Sequence, residues 1–238
     1  MTAMHLTGDT GASEVRNEKR KVLEALRPLN RDDVGMHVVR GQYAAGEINS
    51  SPTVGYVEEP DIPIHSQNDT FIAARLWIDN PFWKGVPFYI RTGKRLMEKS
   101  TQITIEFKSP IQDIEGNQAQ VHSLEPNLLV LNVSPTEGLS LQLNIKNPLR
   151  GRLEPVIVDF ASSQKDVPEA YELLLHDAMC GDATFFAHWD EVELSWRWVQ
   201  PILNAFKNES VPLHLYPSGT MGPEAADQLL AEDGFNWW

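Results

Sequence analysis

The chain has 238 residues, 42% of them hydrophobic, enough to bury the core of one large domain or two small ones. Acidic residues number 33 against 20 basic ones, a formal net charge of −13, which argues against nonspecific nucleic-acid binding because that needs a basic face to neutralise phosphates. The single cysteine, Cys180, excludes an intrachain disulfide and fits a reducing cytoplasm, and no apolar run approaches the ~20 residues of a membrane span.

In chain order, residues 1–13 carry neither the basic nor the apolar region of a signal peptide and are expected to be a flexible leader. A single α+β domain is expected over 14–238. Within the leader, "TGDTGAS" has the glycines of a nucleotide turn but follows no predicted strand. "SEVRNEKRKVLEAL" predicts a helix with Ser13 as N-cap and Val15, Val22 and Leu26 on one side. "MHVVRGQY" (36–43) predicts a short strand, and residues 44–68, rich in Gly, Pro, Ser and Asn, a long surface loop.

A run of strands follows: "DTFIAARLWIDN", "VPFYIR", "TQITIEFK", "NLLVLNVSP", "LSLQLNIK" and "PVIVDF". Ile103, Ile105 and Phe107 alternate with Gln102, Thr104 and Glu106, the period of a strand with one buried and one polar face. Short connections such as "PTEG" predict antiparallel pairing. Three helices close the chain. The first, "DVPEAYELLLHDAMCGD", has capping-box spacing at Asp166 and Glu169, a stop at Gly181, and His176 on an apolar face that suggests a packed core residue. The second, "DEVELSWRWVQPILNAFK", opens with the box Asp190–Glu193, and "GPEAADQLLAEDG" ends the set. Strands in a run followed by helices in a run predict an α+β architecture: a large, mainly antiparallel sheet with helices packed on one face.

The chemistry is sparse. There is no Gly-x-Gly-x-x-Gly after a strand, no Walker loop and no histidine pair at metal-ligand spacing, so no metal site is expected. The exception is "GVPFYIRTGKRLMEKS" (85–100), where an apolar strand runs into Arg91, Lys94, Arg95 and Lys99. If Gly93 lets the backbone turn and the next strand pairs back, Lys94 and Lys99 converge over one sheet edge and suit a phosphate or sugar hydroxyls. On these residues alone a solvated turn explains the segment slightly better.

"GVPFYIRTGKRL" also resembles a stretch shared widely in the glucose-6-phosphate 1-dehydrogenase family. The resemblance is collinear from about Glu14 to Trp238: "VRNEKRKVLEAL", "VVRGQY", "PEAYELLLHDAMCGDATFFAHWDEVELSWRWVQPIL" and "YPSGTMGPEAADQLL" match the family's motifs in order. It implies an enzyme that oxidises glucose 6-phosphate with NADP, opening the pentose phosphate pathway in the cytoplasm. By motif, Lys94 and Lys99 would contact the sugar phosphate, and the sheet would form a homo-oligomer interface. Arg91 matches a position that binds a second, structural NADP in some members, whereas Ser100, Thr104 and Asn132 stand where basic side chains occur. Ser134 stands where some relatives place a substrate-touching glutamine. The family's dinucleotide-binding Rossmann domain, its "DHYLGK" segment and its general-base histidine have no counterpart here. The resemblance therefore implies a domain inactive alone, completed by a Rossmann domain on a separate chain or acting as a non-catalytic binding or assembly module.

Overall fold

The computed structural model describes residues 2–3, 11–108, 125–150, 153–161 and 170–238. The expected leader lies largely outside them, as does the box at Asp166 and Glu169. The chain divides into two compact units, Met1–Met97 with Pro168–Trp237, and Glu98–Val167 with Trp238.

In the first unit, helix α1 (Ala12–Glu24) starts one residue before the expected Ser13 cap. Extended Gly11 takes the N-cap position, its carbonyl accepting the amides of Glu14 and Val15. A short helix α2 (Val34–His37) leads directly into strand β1 (Val38–Ala44). The expected loop 44–68 holds a small hairpin, β2 (Gly46–Ile48) with β3 (Ser51–Thr53), and a 3₁₀ turn at Tyr56–Glu58. Strands β4 (Phe71–Trp77) and β5 (Pro87–Gly93) follow.

Within the second unit, β6 (Thr101–Glu106), β7 (Leu128–Ser134), β8 (Gly138–Lys146) and β9 (Leu153–Ala161) form an antiparallel meander. The chain returns to the first unit with α3 (Ala170–Cys180), α4 (Trp189–Lys207), β10 (Leu213–Pro217) and α5 (Glu224–Ala231). Gly181, with φ +73, ends α3 as expected. His188, not Asp190, caps α4: its imidazole accepts the Asp190 amide, while Glu193 pairs with Arg197 one turn on.

The α+β class stands, but apart from the β2-β3 pair the described strands divide between two four-stranded sheets, β10-β1-β4-β5 and β6-β7-β8-β9. The first sheet is mixed, because β10 lies parallel to β1 with Arg40 opposite Leu213. Helices cover both of its faces rather than one. Val38 and Ala74 pack with Ile202, Ala205 and Phe206 of α4. Phe71 and Ala73, one position out of phase, pack with Ala226, Leu229 and Leu230 of α5. Strands buried on both sides need apolar residues at consecutive positions, which β4 supplies at residues 71–74, whereas β1 also buries Arg40 and Gln42, whose side chains donate to Val211 O and to Ser66 O and Asn68 O.

The second sheet behaves differently. Its register sets Ile103, Leu131, Leu139 and Phe160 in one cross-strand row and Ile105, Leu129, Leu141 and Val158 in the next. Directly opposed residues share a face, so the alternation read in the sequence does build one apolar face. That face is not buried: Ile103, Ile145, Val158 and Phe160 are all exposed.

Candidate phosphate site at the end of strand β5

Strand β5 pairs along its length with β4, and its last residue, Gly93, lies opposite Phe71. A Cβ at Gly93 would stand 2.7 Å from the ring of Phe71, which is buried. Gly93 is therefore required by close packing, not by a turn; the left-handed conformation falls to Arg95, with φ +54.

Beyond Gly93 the backbone is held at successive points. The Lys94 amide donates to Thr70 O at 2.9 Å, and the Lys94 carbonyl accepts from the Tyr216 hydroxyl at 2.7 Å. The Tyr43 amide donates to Thr70 Oγ1, and the Thr70 hydroxyl reaches the Tyr216 oxygen at 3.2 Å. Tyr216 is fully buried, and burial pushes its phenol above the ordinary range. It stays a neutral donor. Further on, the Gly219 amide donates to Arg95 O and the Met97 amide to Thr220 O.

The four cations of the segment have different surroundings. Arg95 pairs with Glu59 at 3.0 Å and lies over the Tyr43 ring; the hydrogen bond to Glu59 is the main cause holding its guanidinium charged. Arg91 stacks on Trp237, its guanidinium carbon 4.5 Å from the ring centroid. Lys94 and Lys99 are exposed, and among the described residues neither enters an ion pair. Lys94 belongs to the first unit and Lys99 to the second. The expectation that strand pairing brings Lys99 back over the edge of β5 is corrected, because β5 and β6 lie in different sheets.

The C-terminal segment is fastened to the same strand. Arg75 of β4, nearly buried, donates to Asp233 at 2.6 Å and to Met36 O at 3.1 Å. The Tyr89 hydroxyl donates to Asp233 as well. Asp233 is held below the usual carboxylate range, first by the Tyr89 hydrogen bond and then by Arg75. His37, whose Nδ1 accepts from Arg75, is lowered by burial and by the Arg75 charge.

The turn after β10 is the one described place where a strand passes through glycines into a helix, so it is where a dinucleotide phosphate would be tested. It does not fit. The amides of Ser218, Gly219 and Thr220 donate to Ala44 O, Arg95 O and Pro217 O. Pro223 at the N-cap has no N–H, and Glu224 and Asp227 put negative charge into the first turn of α5. Gly219 is dictated by packing, since a Cβ there would meet Glu47 O at 1.8 Å.

One other expectation meets the structure here. His176 is exposed on α3, not packed. Trp198 packs beside the first core and donates to Arg27 O, while Trp196 is exposed. Tyr216 and Thr70 went unread as supports of Lys94. The alternation of Leu213 and Leu215 with His214 and Tyr216 was the available signal, short and closed by Pro217.

Comparison with known proteins fixes the lineage. The sequence matches the glucose-6-phosphate dehydrogenase C-terminal domain family over residues 1–238. The chain belongs to that family. It is 48% identical over 231 residues to glucose-6-phosphate 1-dehydrogenase of Bacillus subtilis, covering 94% of this chain and 46% of that one. It is 42% identical to the enzyme of Aggregatibacter actinomycetemcomitans, covering 100% and 48%. A solved glucose-6-phosphate dehydrogenase in complex with its substrate glucose-6-phosphate superposes with a TM-score of 0.84 at 30% identity, over 99% of this chain and 47% of that one. The enzyme from Mycobacterium avium gives 0.77 at 31% identity, over 97% and 45%. The chain thus spans about half the length of the curated relatives it matches.

Proposed function

We propose that this chain is the substrate-binding and self-associating part of an NADP-dependent glucose-6-phosphate 1-dehydrogenase, a cytoplasmic enzyme that converts glucose 6-phosphate to 6-phosphogluconolactone. Lys94 and Lys99 contact the sugar phosphate. NADP is assigned to the half of the family's chain that this sequence does not match, because the turn after β10 has its amides already engaged. Among the described residues no helix is long and apolar enough to cross a membrane.

One observation supports the lysine assignment above the rest: Arg95 is neutralised by Glu59 and Arg91 lies on an aromatic ring, whereas among the described residues Lys94 and Lys99 enter no ion pair. Flexible ammonium groups of this kind suit a phosphate. The solved relative with glucose-6-phosphate bound supports the choice of anion. The apolar face of the second sheet supports self-association through that sheet.

The test is a titration of glucose 6-phosphate into the 238-residue chain, following backbone amide shifts over residues 91–100. Weak saturable binding is expected, with Kd of about 1 mM, and it weakens between low and physiological salt because exposed charges are screened. Lys94→Ala with Lys99→Ala removes the shifts, and Arg95→Ala keeps them. Absent shifts, or shifts unchanged in the double variant, overturn the assignment.

A second reading, a non-catalytic binding or assembly module derived from the same family, is favoured by the lack of any dinucleotide cradle among the described residues. NADPH formation after a dinucleotide-binding half is supplied to the chain, fused or in trans, argues against it.

A further inference from the structure

Within its own unit and among the described residues helix α3 is uncovered, and we infer that it is the docking element for the N-terminal half of the family's chain, the portion that this sequence does not match. Its sequence, AYELLLHDAMC, carries apolar residues around most of its circumference. Tyr171 and Leu173 stand about 200° apart at ~100° per residue, yet they are 79% and 47% exposed; Leu175 and Met179 are 65% and 87% exposed. No described α3 side chain belongs to either core cluster of its unit. A helix that is apolar on all sides is a buried helix in the complete protein, and eleven residues are too few to hold helical structure in water without packing.

The occupant follows from the lengths and the shape. The relatives are about twice as long as the matched region, and the matched family is by its description a C-terminal domain, so their unmatched half comes first in sequence. A second copy meeting α3 across a two-fold axis would cover one side of the helix, whereas α3 offers apolar side chains on opposite sides. The helix has no lysine or arginine and carries Glu172 and Asp177. The partner surface is therefore apolar with a basic rim. This inference rests on family membership and on the exposure of α3, not on the lysine site, and the phosphate titration can fail without touching it.

Hydrogen–deuterium exchange over residues 171–180 tests it, in the chain alone and with the unmatched N-terminal half of the Bacillus subtilis relative fused ahead of it. Exchange is expected to slow by about tenfold or more in the fusion, and to be independent of concentration in the chain alone. Unchanged exchange in a fusion that melts cooperatively overturns the inference, and so does protection in the chain alone that grows with concentration. A second measurement uses the chain alone with Leu175→Asp and Met179→Asp. Both are expected to leave melting and sedimentation unchanged. A fall of several degrees, or a change in oligomer size, would show α3 already covered within the chain or by another copy, and overturns the inference equally.

Discussion

Tyr216 carries one hydroxyl into the interior, and that hydroxyl fixes the carbonyl of Lys94. Tyr216→Phe leaves the ring packed against Phe71 but strips the donor from a carbonyl in a tightly packed place. Loss of about 1–3 kcal/mol is expected, read as a lower urea midpoint at unchanged slope. Glucose 6-phosphate should also bind the variant more weakly, although residue 216 is not expected to touch the ligand. A gain in affinity, or no change in midpoint, would show the Lys94 backbone to be held by its other bonds. At this scale the sequence was half legible. The cations could be read directly, and the glycine was read as important, but for the wrong reason. Rules for glycine register backbone freedom, and they are blind to an aromatic ring arriving from the adjacent strand. Nor could charge counting separate Arg95 from Lys94, because Glu59, which neutralises Arg95, lies 36 positions away.

Elements held together by charge should respond to acid. The segment after α5 is latched to β4 and β5 through Asp233, with Arg75 between it and His37. Both titrating groups are depressed in the folded chain. Each therefore contributes stability that is present above its unfolded pKa and is lost as pH falls through the folded one. His37 should weaken the latch below about pH 6.5 and Asp233 below about pH 3.9, their unfolded values. Thermal melts between pH 8 and 3 check this, and Asp233→Asn should flatten the lower step while leaving the upper. An unaltered lower step would assign acid sensitivity elsewhere. Most elements of this kind were visible beforehand, since β4, β5 and the strands of the second sheet show apolar runs or alternation. Strand β10 escaped notice because five residues next to prolines give too little pattern. The hairpin β2–β3 escaped for the same reason, being three residues to a strand with Pro52 inside.

For the whole molecule, the open apolar face of the second sheet should set the state of the purified chain. Sedimentation at micromolar concentration is expected to show a dimer or larger species. Phe160→Asp, at the end of one cross-strand row, should shift it towards monomer by putting a charge where two apolar faces meet. A monomeric parent chain, or an unaffected oligomer in the variant, would remove the sheet from the interface. The α+β class and the order of its elements were legible because layered folds follow from runs of like elements. Division into two sheets was not. Pairing depends on which edges meet in space, and "FYIRTGKRLMEKSTQITIEF" reads as a hairpin until its two strands are found in separate sheets.

The parallel pairing of β1 with β10 has a consequence for the order of assembly. Residue 40 must wait for residue 213 before its strand has a partner on that side. A ribosome releases the chain from its N-terminus, so β1 keeps one line of amides and carbonyls open until β10 has been made. Loop closure over such a span is slow compared with forming the local meander of β6 to β9. The nascent chain therefore carries a finished second sheet while its first is still incomplete, and an unpaired strand edge is a template for pairing with other chains. Chaperone demand should persist after the meander is complete, and end when β10 slides in beside β1.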